Sequence, residues 1–173
     1  MKKELTRRSF LKLAGVGALA VAMSGSLTGC DVIDNLKDMD SVSAAIGDVK
    51  FMMSASVWVN NGSNGMSYQP TCEIRNNSKK AVTYGGIGSN CEVIITGVLT
   101  DKNGKEYQMT YAGENGSAPA GEKYEVKDFK LVAVGKELHM EGSKVVTTFT
   151  YNGRKAVFTE YNDGNITSKV EKK

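Results

Sequence analysis

The side chains able to do chemistry are few in this chain. There is one histidine, His139, so neither a His-rich zinc site nor a two-His copper centre can be assembled from one copy. Met39, Met52, Met53, Met66, Met109 and Met140 are soft thioether ligands, and Met140 adjoins His139. A copper(I) site drawn from Met52, Met53, His139 and Met140 is the metal chemistry this leaves open, against the commoner use of methionine to fill gaps in a core. A Ser-His-Asp triad would have to recruit His139, and no Gly-x-Ser-x-Gly elbow leads into a helical pattern. Gly85-Gly86-Ile87-Gly88-Ser89 is glycine-rich, but no helix follows to receive a phosphate, so it reads as a loop. Asp101-x-Asn103-Gly104 lacks the other ligands of a calcium loop and lies between strand patterns. The carboxylates fall at turns and in outward phases, with no pair set for acid/base work. The expectation is a protein with no catalytic residue, no metal and no cofactor, and not an enzyme.

The elements that must position whatever remains begin with the first thirty residues. Thr6-Arg7-Arg8-Ser9-Phe10-Leu11-Lys12 precedes an uncharged run that closes on Leu27-Thr28-Gly29-Cys30. Glycines at 15, 17, 25 and 29 make that run a poor permanent span. The segment resembles a twin-arginine export signal followed by the lipobox of bacterial lipoproteins. The resemblance implies that Arg7 and Arg8 are the export signal, that Cys30 takes a diacylglyceryl group, and that cleavage after Gly29 leaves Cys30 first. It further implies a cell-membrane location, lipid-anchored on the extracytoplasmic face, with the membrane as a partner through two acyl chains.

Processing changes how the composition reads. The whole chain is formally +3, but removal of Lys2, Lys3, Arg7, Arg8, Lys12 and Glu4 leaves 17 basic and 18 acidic residues. The mature chain is thus close to neutral and has no basic block longer than two residues, which excludes a clustered phosphate-binding footprint and argues for no nucleic-acid partner. Removing 29 of 173 residues leaves 144, the size of one domain. With Cys30 lipidated, Cys72 and Cys91 form an even remainder outside the cytoplasm, which reads as one structural disulfide. They lack the Cys-x-x-Cys spacing of a redox pair.

Within the mature chain, residues 30–47 read as a lipidated tether or a short helix, because Val32, Leu36, Met39, Val42 and Ile46 recur at three- and four-residue steps. The pattern then alternates. Phe51, Met53, Ala55, Val57 and Val59 share one phase, with Trp58 in the opposite, polar phase. Met66, Tyr68, Cys72 and Ile74 form a second apolar phase that Pro70 should break. Cys91, Val93, Ile95 and Leu99 form a third. Asp101-Lys102-Asn103-Gly104 and Asn152-Gly153 are hairpin turns. Between Val126 and Phe129 the phase slips, and a bulge at Lys127-Asp128 would return both to the core. Residues 162–173 read as a polar tail.

Six or seven strands with regular turn signals over residues 48–161 give an all-β class. Cys72 to Tyr84, with the Asn76-Asn77-Ser78 turn, and Ala118-Pro119-Ala120-Gly121-Glu122 resemble the turns of immunoglobulin-like domains in Gram-positive surface lipoproteins. That resemblance implies an immunoglobulin-like two-sheet antiparallel sandwich after the signal (residues 1–29) and tether. Trp58 in an outward phase needs a cover. Either a segment of this chain packs over it, or Trp58 with Tyr84 and Tyr111 forms a patch for a protein or glycan partner at the cell surface. The function expected is a lipid-anchored, non-catalytic binding or structural module. The alternative is a metal or redox accessory protein of the envelope using the Met/His site.

Overall fold

The computed structural model describes residues 41–60, 65–135, 138 and 140–172. Arg7, Arg8, Cys30 and His139 lie outside them, as does most of the tether. Twelve strands are present among the described residues: β1 (Val42–Ile46), β2 (Val49–Asn60), β3 (Met66–Asn76), β4 (Val82–Gly85), β5 (Val93–Thr100), β6 (Glu106–Tyr111), β7 (Gly116–Ala118), β8 (Glu122–Glu125), β9 (Leu131–Ala133), β10 (Lys144–Tyr151), β11 (Arg154–Tyr161) and β12 (Ile166–Glu171).

They build one continuous sheet, ordered β1-β2-β3-β9-β6-β5-β10-β11-β12, whose pairs along that path are antiparallel. β4 adds a short parallel bridge to β5 and pairs with β7, while β8 pairs with β3. The two ends of the path meet at a seam, where Ser168 Oγ donates to the Ser43 carbonyl at 2.8 Å. The sheet is therefore nearly closed into a barrel, and the expected two-sheet sandwich is not formed. The strand that decides this is β9, which pairs with β3 on one side and β6 on the other and so joins what a sandwich would keep apart. Both architectures bury alternate residues of short strands, so phase and turn spacing do not separate them.

Local chemistry accounts for the elements. Asn152 and Gly153 both take positive φ, 49° and 72°, as the two-residue turn joining β10 to β11 requires. At Asp101 the side chain accepts from the backbone N–H groups of Asn103 (2.8 Å) and Lys105 (2.9 Å), closing the β5–β6 hairpin. The Val126–Phe129 slip is resolved by a turn between β8 and β9, with Asp128 at φ 51°, instead of a bulge within one strand. Both Val126 and Phe129 are buried, as the phase argument demanded. Asn76 is wholly buried. It donates to the carbonyls of Lys80 (2.9 Å) and Ala118 (3.0 Å) and accepts from the Ser78 N–H and hydroxyl, which pins the β3–β4 turn to β7.

Several expectations at the margins are corrected. Val42 and Ile46 belong to β1, so the C-terminal part of the possible helix is strand: Gly47, at φ 60°, turns the chain into a tight hairpin with β2. Residues 166–171 are not tail but β12, laddered on β11 after a turn in which Gly164 takes φ 90°. β3 runs through Pro70 without breaking; the irregularity falls on its partner instead. Cys72 and Cys91 are free thiols, so the expected bridge is not formed. Cys72 faces the core on β3, but β5 begins at Val93, leaving Cys91 in the preceding connection and outside the strand phase on which the pairing argument rested.

The core fills the barrel. Phe149 on β10 stacks on Phe51 (centroids 4.8 Å apart) and meets Phe158 edge-on at 5.6 Å. Met53, Met66 and Met109 are buried within this packing.

Candidate functional site at the barrel seam

The residue that organises this site is Glu160, and it follows from the register of β11. Ala156, Phe158 and Glu160 occupy one phase of the strand and all three are buried, so the hairpin turn at Asn152-Gly153 sends a carboxylate into the barrel. Burying a charge is costly unless its lone pairs are satisfied. Here the donors arrive from β2 and β3. Tyr68 Oη donates to Glu160 Oε2 at 2.6 Å. Ser56 Oγ donates to Oε1, and Trp58 Nε1–H is shared between Ser56 Oγ (2.9 Å) and Oε1 (3.4 Å). Among the described residues no cation pairs with Glu160; neutral donors alone hold it.

A bulge in β2 makes this convergence possible. Ser54 lies opposite Thr71 and Ser56 opposite Pro70, leaving Ala55 as the extra residue. Pro70 has no N–H to give, and a two-for-one irregularity opposite it absorbs the gap in the ladder. An extra residue also exchanges the faces of everything beyond it. Phe51 and Met53 point inward before the bulge; afterwards Val57 is 59% exposed and Val59 36% exposed. Trp58 therefore sits on the inner side, half-buried, with its ring edge-on to Tyr68 at 5.4 Å. The expectation that Trp58 faces outward is overturned, and the reason is the bulge and not a covering segment.

Trp58, Tyr84 and Tyr111 do not form an exposed patch, because both tyrosines are buried. Tyr84 and Tyr111 belong to the hydrophobic core, against which the half-buried Trp58 packs. Tyr84 lies 5.9 Å from Tyr124, and Tyr111 packs on Phe129 at 5.3 Å while its hydroxyl donates to the Glu114 carbonyl at 3.0 Å. Burial, then the neighbouring Cys72, pushes the Tyr111 hydroxyl up to about 12. Burial, followed by the adjacent Glu73, drives the Cys72 thiol far above its ordinary range, so it remains protonated and unreactive. Burial and then Glu160 raise Tyr68 well above ordinary phenols, keeping it a donor. Chemically the seam cluster is an acceptor met by fixed donors from two strands, suited to holding β2, β3 and β11 in register. No group of three or more His, Cys, Asp or Glu side chains able to hold a metal occurs among the described residues.

Sequence reasoning found Trp58 but missed Glu160, Ser56 and Tyr68 as its partners. The available signal was Glu160 in phase with Ala156 and Phe158. Its partners lie 92 to 104 residues away in the chain, beyond the reach of any local pattern.

Comparison with known proteins adds little. No protein-family model matches the chain, and no curated protein matches it. A solved structure described as the X-ray structure of Northeast Structural Genomics Consortium target SoR45 superposes with a TM-score of 0.38 at 13% identity, over 75% of this chain and 85% of that one.

Proposed function

We propose that this protein is an exported lipoprotein, held on the extracytoplasmic face of the cell membrane through Cys30, whose all-β unit serves as a non-catalytic binding or structural module. The observation that carries the reading is the order Arg7-Arg8, uncharged run, Leu27-Thr28-Gly29-Cys30. Its physical logic is that a diacylated cysteine supplies two chains, enough for stable attachment where one would be marginal. The all-β unit supports the module part: its buried carboxylate is held by structural hydrogen bonds, and its Cys72 thiol is sealed in the core. The test is detergent phase partitioning of membranes from cells making the chain or its Cys30→Ala variant. The chain should enter the detergent phase, and Cys30→Ala should not. Partition of the unaltered chain into the aqueous phase, or an unchanged Cys30→Ala, would refute the anchor.

A further inference from the structure

Strand register sets three cations side by side on the outside of the barrel. Lys50 on β2 lies opposite Arg75 on β3, and Arg75 lies opposite Lys123 on β8. All three take the outward phase: Val49, Phe51, Ile74 and Asn76 beside them are buried, and Tyr124 packs against the core. Neighbouring strands stand about 4.8 Å apart and like charges directly opposite each other are destabilising, so the row works against the fold that holds it. Glu73, two residues back on β3, relieves only the centre of the row by accepting from Arg75 Nε. Among the described residues no ion pair forms at Lys50 or Lys123, and no acceptor meets the terminal Nη groups of Arg75. Glu125 stands opposite Glu73 in the row behind and has a partner of its own.

We infer that Lys50, Arg75 and Lys123 bind a phosphoryl group, as inorganic phosphate or a phosphate monoester. Held at Nε by Glu73, the guanidinium keeps its planar end free, and two parallel N–H donors are what a phosphate takes bidentately. The flanking lysines are point charges on flexible stems, one strand away on either side, and both ammonium groups can converge over Arg75. A dianion there cancels the repulsion that the row carries by itself. Three cations against Glu73 and Glu125 leave one net positive charge, and Lys123 is exposed, so binding is weak, with a dissociation constant of about 1 mM, and sensitive to salt. No such cluster is visible along the chain, because its members stand 25 and 48 residues apart; pairing of β2 and β8 with β3 assembles it. A row three side chains wide matches one phosphoryl group and gives no footprint for a nucleic acid. The inference rests neither on the anchor nor on the seam.

The test is a titration of the purified, isotope-labelled full chain followed by amide NMR shifts, with inorganic phosphate or glycerol 3-phosphate added while sodium chloride holds the ionic strength constant. The expected result is saturable shifts at Lys50, Arg75 and Lys123 with either phosphate and none with chloride alone. Arg75→Lys keeps the charge but loses the fork, and should weaken binding about tenfold. Lys50→Gln and Lys123→Gln should each weaken it about threefold, while their urea midpoints stay level or rise because a like-charge contact is removed. Equal affinity for the two probes assigns the site to free phosphate, and tighter binding of glycerol 3-phosphate assigns it to a monoester. The inference is overturned if the shifts grow without saturating, or if Arg75→Lys binds as well as the unaltered chain, which would leave only a diffuse attraction of ions.

Discussion

Replacing Glu160 measures what holds the seam. In Glu160→Ala the buried Tyr68 hydroxyl loses its acceptor, an orphaned donor that costs about 1–3 kcal/mol. Removal of one buried methylene costs about 0.8 kcal/mol more. Relief from burying a charge offsets part of this. Trp58 keeps Ser56 Oγ at 2.9 Å, so its contribution is small. The net expectation is a loss of about 1–3 kcal/mol. Glu160→Gln keeps the shape: its amide oxygen can still accept from Ser56 and Trp58, and Tyr68 can rotate to accept from the amide N–H, so the cost is about 1 kcal/mol or less. Tyr68→Phe alone strands one carboxylate oxygen and costs about 2 kcal/mol, but in the Glu160→Ala background it should cost almost nothing, giving a coupling of about 2 kcal/mol. The assay is urea unfolding followed by the emission of Trp58, the chain's one tryptophan and itself a member of the cluster. Additive single and double variants, or a Gln variant as damaging as Ala, would refute the claim that these hydrogen bonds knit the strands together.

Other expectations follow from separate parts of the fold. Asn76→Ala removes four hydrogen bonds from a fully buried side chain and should cost about 3 kcal/mol by thermal or urea unfolding. Gly97→Val should cost about 1–3 kcal/mol in the same assay, because even a Cβ at this position on β5 would come within 2.7 Å of Leu131 Cδ1 and 3.1 Å of Met109 Cβ. Backbone N–H groups, first of Lys105 and then of Asn103, hold the Asp101 carboxylate below its ordinary range. A depressed folded pKa contributes stability above the unfolded value of about 3.9 and loses it as pH falls through the lower folded value. The stability difference between the unaltered chain and Asp101→Asn, followed by urea unfolding against pH, should therefore be flat near neutrality and shrink in acid. In thiol titration of the chain with Cys30 replaced by serine, Cys72 should stay unreactive until urea exposes it, after which two thiols are counted; a count of none would establish the bridge instead.

Much of the β order is legible in local chemistry. Asn152-Gly153 and Asp101 to Gly104 mark their hairpins because positive φ and an Asx turn are properties of those residues wherever they occur. The shared core phase of Val126 and Phe129 is also readable, although whether a bulge or a turn restores it depends on β3, which β8 and β9 both pair. The turns at Asn76 and at Ala118 to Gly121 are recognisable singly. That they bond to each other, through Asn76 Nδ2 to the Ala118 carbonyl and Gly121 N–H to the Asn76 carbonyl, is not. β12 is not legible locally, because Ile166, Ser168 and Val170 make a weak, half-exposed alternation that β11 must complete.

By itself the sequence determined what depends on residue type and near neighbours: an all-β chain, its tight turns, most of its core phases, and an N-terminal pattern that carries the functional proposal. Tertiary structure decided what depends on pairing across the chain. It joined the strands into a nearly closed barrel through β9, left Cys91 outside the strand that would have aligned it, and brought Glu160 to Tyr68 across 92 residues. The reversal at Trp58 shows why the two differ. One unpaired residue at Ala55, placed opposite a proline that cannot donate, moves every later side chain of β2 to the other face, and only the partner strand determines where that residue falls.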